Sequence, residues 1–201
     1  MNKNELPTEI VTERTIIRRA GPADLPKIAA WPEYGPGDGM NMTRTVRDSG
    51  KQYWWERIDH PDRCHYSVVR CDSGEIIGVY AFVWIDWDKA TVGNMGVRIR
   101  ADLCGQGYGS ETLPQLLTAG LESGMGSIRL DVAPLNEGAI QFYKKCGMQM
   151  LDEYLWREHK GDPIDPGDPR WKPLLPYLRR EGDRWMVRFY WMEISCAADQ
   201  E

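Results

Sequence analysis

The chain has 201 residues, 42% of them hydrophobic and 27% charged, with a formal charge of -5. This composition suits one globular domain with a sizeable core, and it excludes both a disordered chain and the strongly basic surface that a nucleic-acid partner requires. No apolar run approaches the roughly 20 residues of a membrane helix, and the opening MNKNELPTEI lacks a signal-peptide core, so a cytoplasmic protein with no membrane partner is expected.

In chain order, Thr15 to Arg18 is expected to be the first strand, and Pro22 with the following ADLPKIAAW a helix with proline in its first turn. Gly35 to Gly39 (GPGDG) marks a loop, and Tyr53, Trp54, Trp55 and Ile58 fall at helical spacing before His60-Pro61. HYSVVR, the turn DSGE and IIGVYAFVWIDW form a hairpin, and ATVGNMGVRI extends the meander. After a glycine-rich loop, leucines at 113, 116, 117 and 121 line one helix face. Pro114 fits that helix only within its first turn. SIRLDV (Ser127 to Val132) reads as a strand, Asn136 to Lys145 as a helix closed by Gly147, Met148 to Trp156 as a strand, and Trp185 to Ile194 as the last strand. Asp162 to Pro176, with five prolines and three aspartates, resists regular structure; residues 157–184 are read as an insertion within a single domain spanning 1–201.

The five cysteines are odd in number and scattered without a CxxC pair, which fits reduced thiols, and the three histidines are equally dispersed. No metal is expected. The chemical signal lies instead in LCGQGYGSETL, where glycines at 105, 107 and 109 run directly into a helix. Such a loop leaves backbone N–H groups unpaired at the positive end of the helix dipole and removes the Cβ atoms that would keep a phosphate away: an anion site. A Walker site is excluded because Ser110-Glu111 follows the last glycine where Lys and Ser or Thr are needed. A dinucleotide fingerprint is approximated by Gly105-x-Gly107-x-x-Ser110 with Asp131 on the next strand. Against it stand the five residues between strand and first glycine, Ser110 in place of the third glycine, and the preceding meander. A connector that binds nothing is the third reading.

A second motif, LDVAPLNEGAIQFYKKCGM (130–148), follows at the right distance. Together with VRIRADLCGQGYG it resembles the GNAT superfamily of acyl-CoA-dependent N-acyltransferases. The loop pattern Arg/Gln-x-x-Gly-x-Gly/Ala falls on Cys104, Gly105, Gln106, Gly107, Tyr108 and Gly109, and the second motif is matched by Asn136, Ala139-Ile140, Tyr143 and Gly147. Cys104 departs from the usual Arg or Gln. The resemblance implies an α/β (α+β) fold with a central mixed, mostly antiparallel sheet of about seven strands, splayed at the cofactor site and flanked by helices. It further implies acetyl-CoA as cosubstrate, its pyrophosphate on the N–H groups of Gly105, Gln106, Gly107, Tyr108, Gly109 and Ser110. Its pantetheine arm is expected along Val97, Arg98 and Ile99, with Asn136 opening the opposite wall.

The same resemblance makes Tyr143 the proton donor to the departing thiolate and places an oxyanion-binding N–H near Val97. Direct amine attack needs no covalent intermediate, so Cys104 and Cys146 are structural. Deprotonating a lysine-like amine costs about 4.6 kcal/mol at pH 7 and an α-amine about 1.4 kcal/mol, so a base is essential for the first and helpful for the second. The family often places Glu on the strand before the loop, yet Ala90 to Ala101 contains no acid. Asp86, Asp88, Asp131 and Glu153 are the substitutes considered, and none is assigned; a water chain can serve. The expected function is N-acetyl transfer from acetyl-CoA to a primary amine of a small molecule or peptide. A non-catalytic acyl-CoA sensor and a dinucleotide-dependent oxidoreductase are the alternatives, and a homodimer is compatible with the sequence. Residues 156–184, with Trp156, Trp171 and Tyr177, are expected to fold over the acceptor.

Overall fold

Strand β1 (Glu9–Val11) pairs antiparallel with β2 (Thr15–Arg19), β2 with β3 (Cys64–Arg70), β3 with β4 (Ile76–Asp86), and β4 with β5 (Thr91–Ile99). The computed structural model describes residues 1–32, 56, 58–159 and 163–196. These fall into two compact units, one of residues up to 129 together with 194–196, the other of residues 130–193. The fold is mixed α/β, with a mostly antiparallel sheet and a few flanking helices.

In the first unit the meander read from the sequence is present, with a register shift between Val68 and Val69 where β3 meets β4. Residues facing inward on β3 and β4 alternate as the pleat requires: Tyr66, Val68, Tyr80 and Phe82 are essentially fully buried. Trp84 takes a positive φ of 56° on β4. Opposite it, Gly93 has no Cβ, and one there would lie 3.0 Å from the Trp84 carbonyl oxygen. The expected helix after Pro22 is split: a 3-10 turn (Pro22–Asp24) precedes a short α1 (Leu25–Ala29). Asp24 pins that start, because its buried carboxylate accepts from Arg18 at 2.8 Å, Ser67 at 2.8 Å and the Gly21 amide at 3.0 Å. Burial works against the charged carboxylate, and the bonds from Arg18, Gly21 and Ser67 outweigh it, holding its pKa below the ordinary aspartate value. The loop expected at 35–39 and the aromatic residues Tyr53, Trp54 and Trp55 lie outside the described residues.

Helix α2 (Tyr108–Glu122) buries Leu113, Leu116 and Leu117 against the sheet, as their spacing required; each contributes about 1.5–3 kcal/mol. Leu121 is only half-buried. Contact is closest at Gly120, where a Cβ would lie 3.1 Å from Ile128 Cδ1, and Tyr80 shares a 2.6 Å hydrogen bond with Thr112. Pro114 lies in the second turn of α2 and not in the first, contrary to expectation. One intrahelical bond is lost there, and burial of the leucine face carries the helix through. Strand β6 (Ser127–Val132) begins in this unit, parallel to β5 through Thr91 with Ser127 and Val92 with Ile128.

The second unit holds α3 (Glu137–Lys145), β7 (Gln149–Glu158), β8 (Leu178–Glu181) and most of β9 (Arg184–Ser195). Both β7 and β8 pair antiparallel with β9. Helix α3 starts at Asn136, whose side chain accepts from the Ala139 amide at 3.1 Å, and ends in Lys144 and Lys145 before Gly147 at φ 89°. The segment 157–184, read as an insertion, contains β8, which lies just after the stretch 162–176 expected to be irregular and forms a hairpin with β9 around Gly182 at φ 60°. With β1, an exposed three-residue edge, this makes nine strands among the described residues where about seven were expected.

Candidate functional site

Strand β5 presents one wall. Arg100 donates its amide to the Ile77 carbonyl at 2.7 Å, which fixes the parity of the β4–β5 ladder: Arg100, Arg98 and Gly96 exchange hydrogen bonds with β4, while Val97 and Met95 direct their amides and carbonyls to the other edge. The parallel pairing on that edge spans Thr91 and Val92. Val97, Arg98 and Ile99 are half-buried and Gly96 is exposed. The Val97 N–H is therefore directed away from β4.

After Ile99 a 3-10 turn (Ala101–Leu103) carries the chain into the loop. Gly105 and Gly107 adopt φ of 77° and 85°, a region costly to residues with a Cβ, so two of the three glycines are required by conformation. Gly109 differs: it lies in the first turn of α2 with a helical backbone. Leu103 and Cys104 spend their amides on the turn, and Glu111 donates to Gly107 O at 3.0 Å. Between them, the N–H groups of Gly105, Gln106, Gly107, Tyr108, Gly109 and Ser110 have no acceptor among the described residues. Cys104 to Gly107 and Ser110 are exposed, and nothing lies within 4 Å of where a Gly105 Cβ would stand. A run of unspent donors at the head of a 15-residue helix has the chemistry that suits an anion.

Sequence reasoning missed two residues that frame this loop. Glu111 accepts from the Arg14 amide at 2.8 Å, from Arg14 Nε at 2.6 Å and from the Thr12 hydroxyl. Burial opposes its charge, but the bonds from Thr12 and Arg14 prevail and hold its pKa below the ordinary glutamate value. Arg14 in turn lies over the Tyr108 ring, 4.4 Å from its centroid, and donates from Nη1 to Gln106 O at 3.3 Å. The only sequence signal was the acid one residue after Ser110; that its partner sits 97 residues earlier is decided by the packing of β2 beside α2.

In the second unit, Asn136 is exposed and serves as N-cap, and Tyr143, two turns further along α3, is half-buried with its ring 5.4 Å from that of Phe142. The Tyr143 carbonyl accepts from Cys146 and Met148, which closes the helix. Cys146 is half-buried and its thiol is pushed up by burial, which suits a structural role. All five cysteines are free thiols. No group of three or more His, Cys, Asp or Glu is placed to hold a metal among the described residues.

Two of the four carboxylates considered as a base are engaged by cations. Asp86 accepts the Lys89 amide at 3.0 Å and pairs with its ammonium at 3.2 Å, bonds that hold its pKa below the ordinary value. Asp131 is held by Arg157 at 2.5 Å. Asp88 and Glu153 are exposed. Within the segment expected over the acceptor, Arg179 lies over Trp156 at 4.0 Å, and Arg188 of β9 lies over Tyr177 as well as over Tyr154 and Tyr190. Among the described residues no helix is long and apolar enough to cross a membrane.

Comparison with known proteins agrees with the motifs. A model described as the Acetyltransferase (GNAT) family matches residues 29–148, more than half of the chain. A thialysine N-epsilon-acetyltransferase from Sus scrofa is 28% identical over 76 residues, 38% of this chain and 45% of that protein. The chain thus spans less than half the length of the curated relatives it matches. Among solved structures, a spermidine N-acetyltransferase chimera from Vibrio cholerae and hSSAT superposes with a TM-score of 0.66 at 15% identity, covering 91% of this chain and 96% of the other. A GNAT-family acetyltransferase from Bacillus anthracis superposes with a TM-score of 0.63 at 17% identity, covering 93% and 98%.

Proposed function

The chain belongs to the GNAT family of acetyltransferases and is an acyltransferase, and from that premise we propose that it moves an acetyl group from acetyl-CoA to a primary amine by direct attack. The observation that carries the reading is the run of donors from Gly105 to Ser110, opened by two glycines at positive φ. Six successive N–H groups without a protein acceptor suit the diphosphate of coenzyme A, and the absent Cβ atoms let it reach the backbone. Val97, Arg98 and Ile99 would run beside the pantetheine arm, with Val97 N–H donating to the oxyanion of the tetrahedral intermediate. Asn136 keeps the head of α3 in place, and Tyr143 would protonate the leaving thiolate as its charge develops.

The acceptor is assigned by class. Thialysine and spermidine, named for relatives at low identity, both offer primary amines. Asp86 and Asp131 are engaged by Lys89 and Arg157, no carboxylate is assigned as base, and a water chain can take the proton from the attacking amine, a route that favours amines of lower pKa. Acetyl-CoA should raise the melting temperature, and an amine panel should release free thiol. Stabilisation by NAD(P) with none by CoA, or stabilisation by acetyl-CoA without thiol release from any amine, would reject the proposal.

A further inference from the structure

Cys104 stands where the loop pattern has a long basic or amide side chain, and the Gln106 side chain turns back to donate to the Asp102 carbonyl at 3.0 Å. The loop segment from 104 to 110 therefore brings no cation of its own to the cradle, while Glu111 places a carboxylate beside it. Arg14 reverses that balance from the turn between β1 and β2. Its backbone amide and Nε are held by Glu111, its Nη1 by Gln106 O, and its guanidinium plane by the Tyr108 ring. The remaining nitrogen, Nη2, makes no hydrogen bond among the described residues, and it lies 3.4 Å from where a Cβ on Gly107 would be.

We infer that Arg14 is a donor-binding residue: through Nη2 it donates to the diphosphate held by residues 105–110, supplying from a distant strand turn the contact that Cys104 lacks. The inference rests on the acetyl-CoA reading above. Three tethers fix the guanidinium before the ligand arrives, so little side-chain freedom is lost on binding. Glu111 acts through Arg14 as a positioning residue, and Arg14 offsets its charge at the mouth of the anion site.

The test measures affinity for acetyl-CoA and for S-acetylpantetheine, which lacks the diphosphate, by calorimetry on the whole chain. Arg14→Gln should weaken acetyl-CoA binding about tenfold, as loss of one charge-assisted bond does, and change S-acetylpantetheine binding by less than about twofold. Equal losses for the two ligands would mean that Arg14 merely holds the fold, and an unchanged acetyl-CoA affinity would also overturn the inference while leaving the transferase reading intact. If the wild-type chain binds no acetyl-CoA, the functional reading itself fails and takes the inference with it. Should Arg14→Gln not fold, Arg14→Lys replaces it: about a threefold loss for acetyl-CoA alone is expected, and no loss overturns the inference.

Discussion

Glu111, in the first turn of α2, and Arg14, in the turn between β1 and β2, are joined by two hydrogen bonds, from the Arg14 amide at 2.8 Å and its Nε at 2.6 Å. The helix that follows the glycine loop is thereby tied to the first turn of the meander. Glu111→Ala should lower stability by about 2 kcal/mol, because the Thr12 hydroxyl and the Arg14 amide lose their acceptor. Urea unfolding checks this. Since the Glu111 pKa is depressed in the folded chain, its contribution is complete above the unfolded glutamate value near ~4.3 and is lost as pH falls through the lower folded value. The stability difference between wild type and variant should therefore shrink below about pH 4.

Tyr143→Phe should slow acetyl transfer by about 10²-fold, within the range for loss of a general acid. Affinity for CoA should stay within about twofold, because the phenol is needed only as thiolate charge develops. Steady-state rates paired with CoA titration separate the two effects, and a normal turnover rate removes Tyr143 from the mechanism.

Gly107→Ala places a Cβ at φ 85° and 3.4 Å from Arg14 Nη2. A cost of about 1–2 kcal/mol in stability is expected from the backbone alone, with weaker acetyl-CoA binding. At Gly105, φ is 77° but the space is open, so Ala there should show the backbone cost alone in thermal unfolding. Equal acetyl-CoA affinities in the two variants would show that the Gly107 side of the loop is not where the ligand sits.

Cys104→Ala should leave kcat/KM within about twofold of wild type, since direct amine attack makes no bond to sulfur. A large loss of turnover, or an acetylated Cys104 found by mass spectrometry after incubation with acetyl-CoA alone, would demand a covalent route instead.

His65 couples stability to pH in a separate window. Burial, with Arg63 and Lys3 nearby, lowers its pKa to about 4 from the usual 6.5. The unfolded chain takes up the proton first, so the stability associated with neutral His65 is complete above pH 6.5 and falls progressively as pH drops toward 4. Between pH 7.5 and 5.5 the loss should be about 1 kcal/mol in denaturant midpoints, and His65→Gln should abolish it.

Period and punctuation made much of this fold legible. Runs of β-forming residues around a Gly-containing turn announced β3 to β5, and leucines at 113, 116 and 117 announced their helix, because burial of one helix face imposes a period on the chain. Strands β1 and β8 were illegible for the opposite reason. Glu9–Val11 is short and exposed, and Leu178–Glu181 is charged and follows prolines, so each exists through the ladder of a neighbour and not through its own pattern.

Local chemistry alone determines where this loop leaves donors: glycines at 105 and 107 before a helix leave N–H groups that neither turn nor helix uses, and no distant residue is needed to predict them. Tertiary structure alone decided what frames it. Arg14 and Glu111 meet only because β2 packs beside α2, and Val97 turns its amide outward only because the β4–β5 register has one parity and not the other. Contacts within a few residues are written in the order of the chain, whereas contacts across 97 residues depend on how buried faces stack, and that is a property of the whole core.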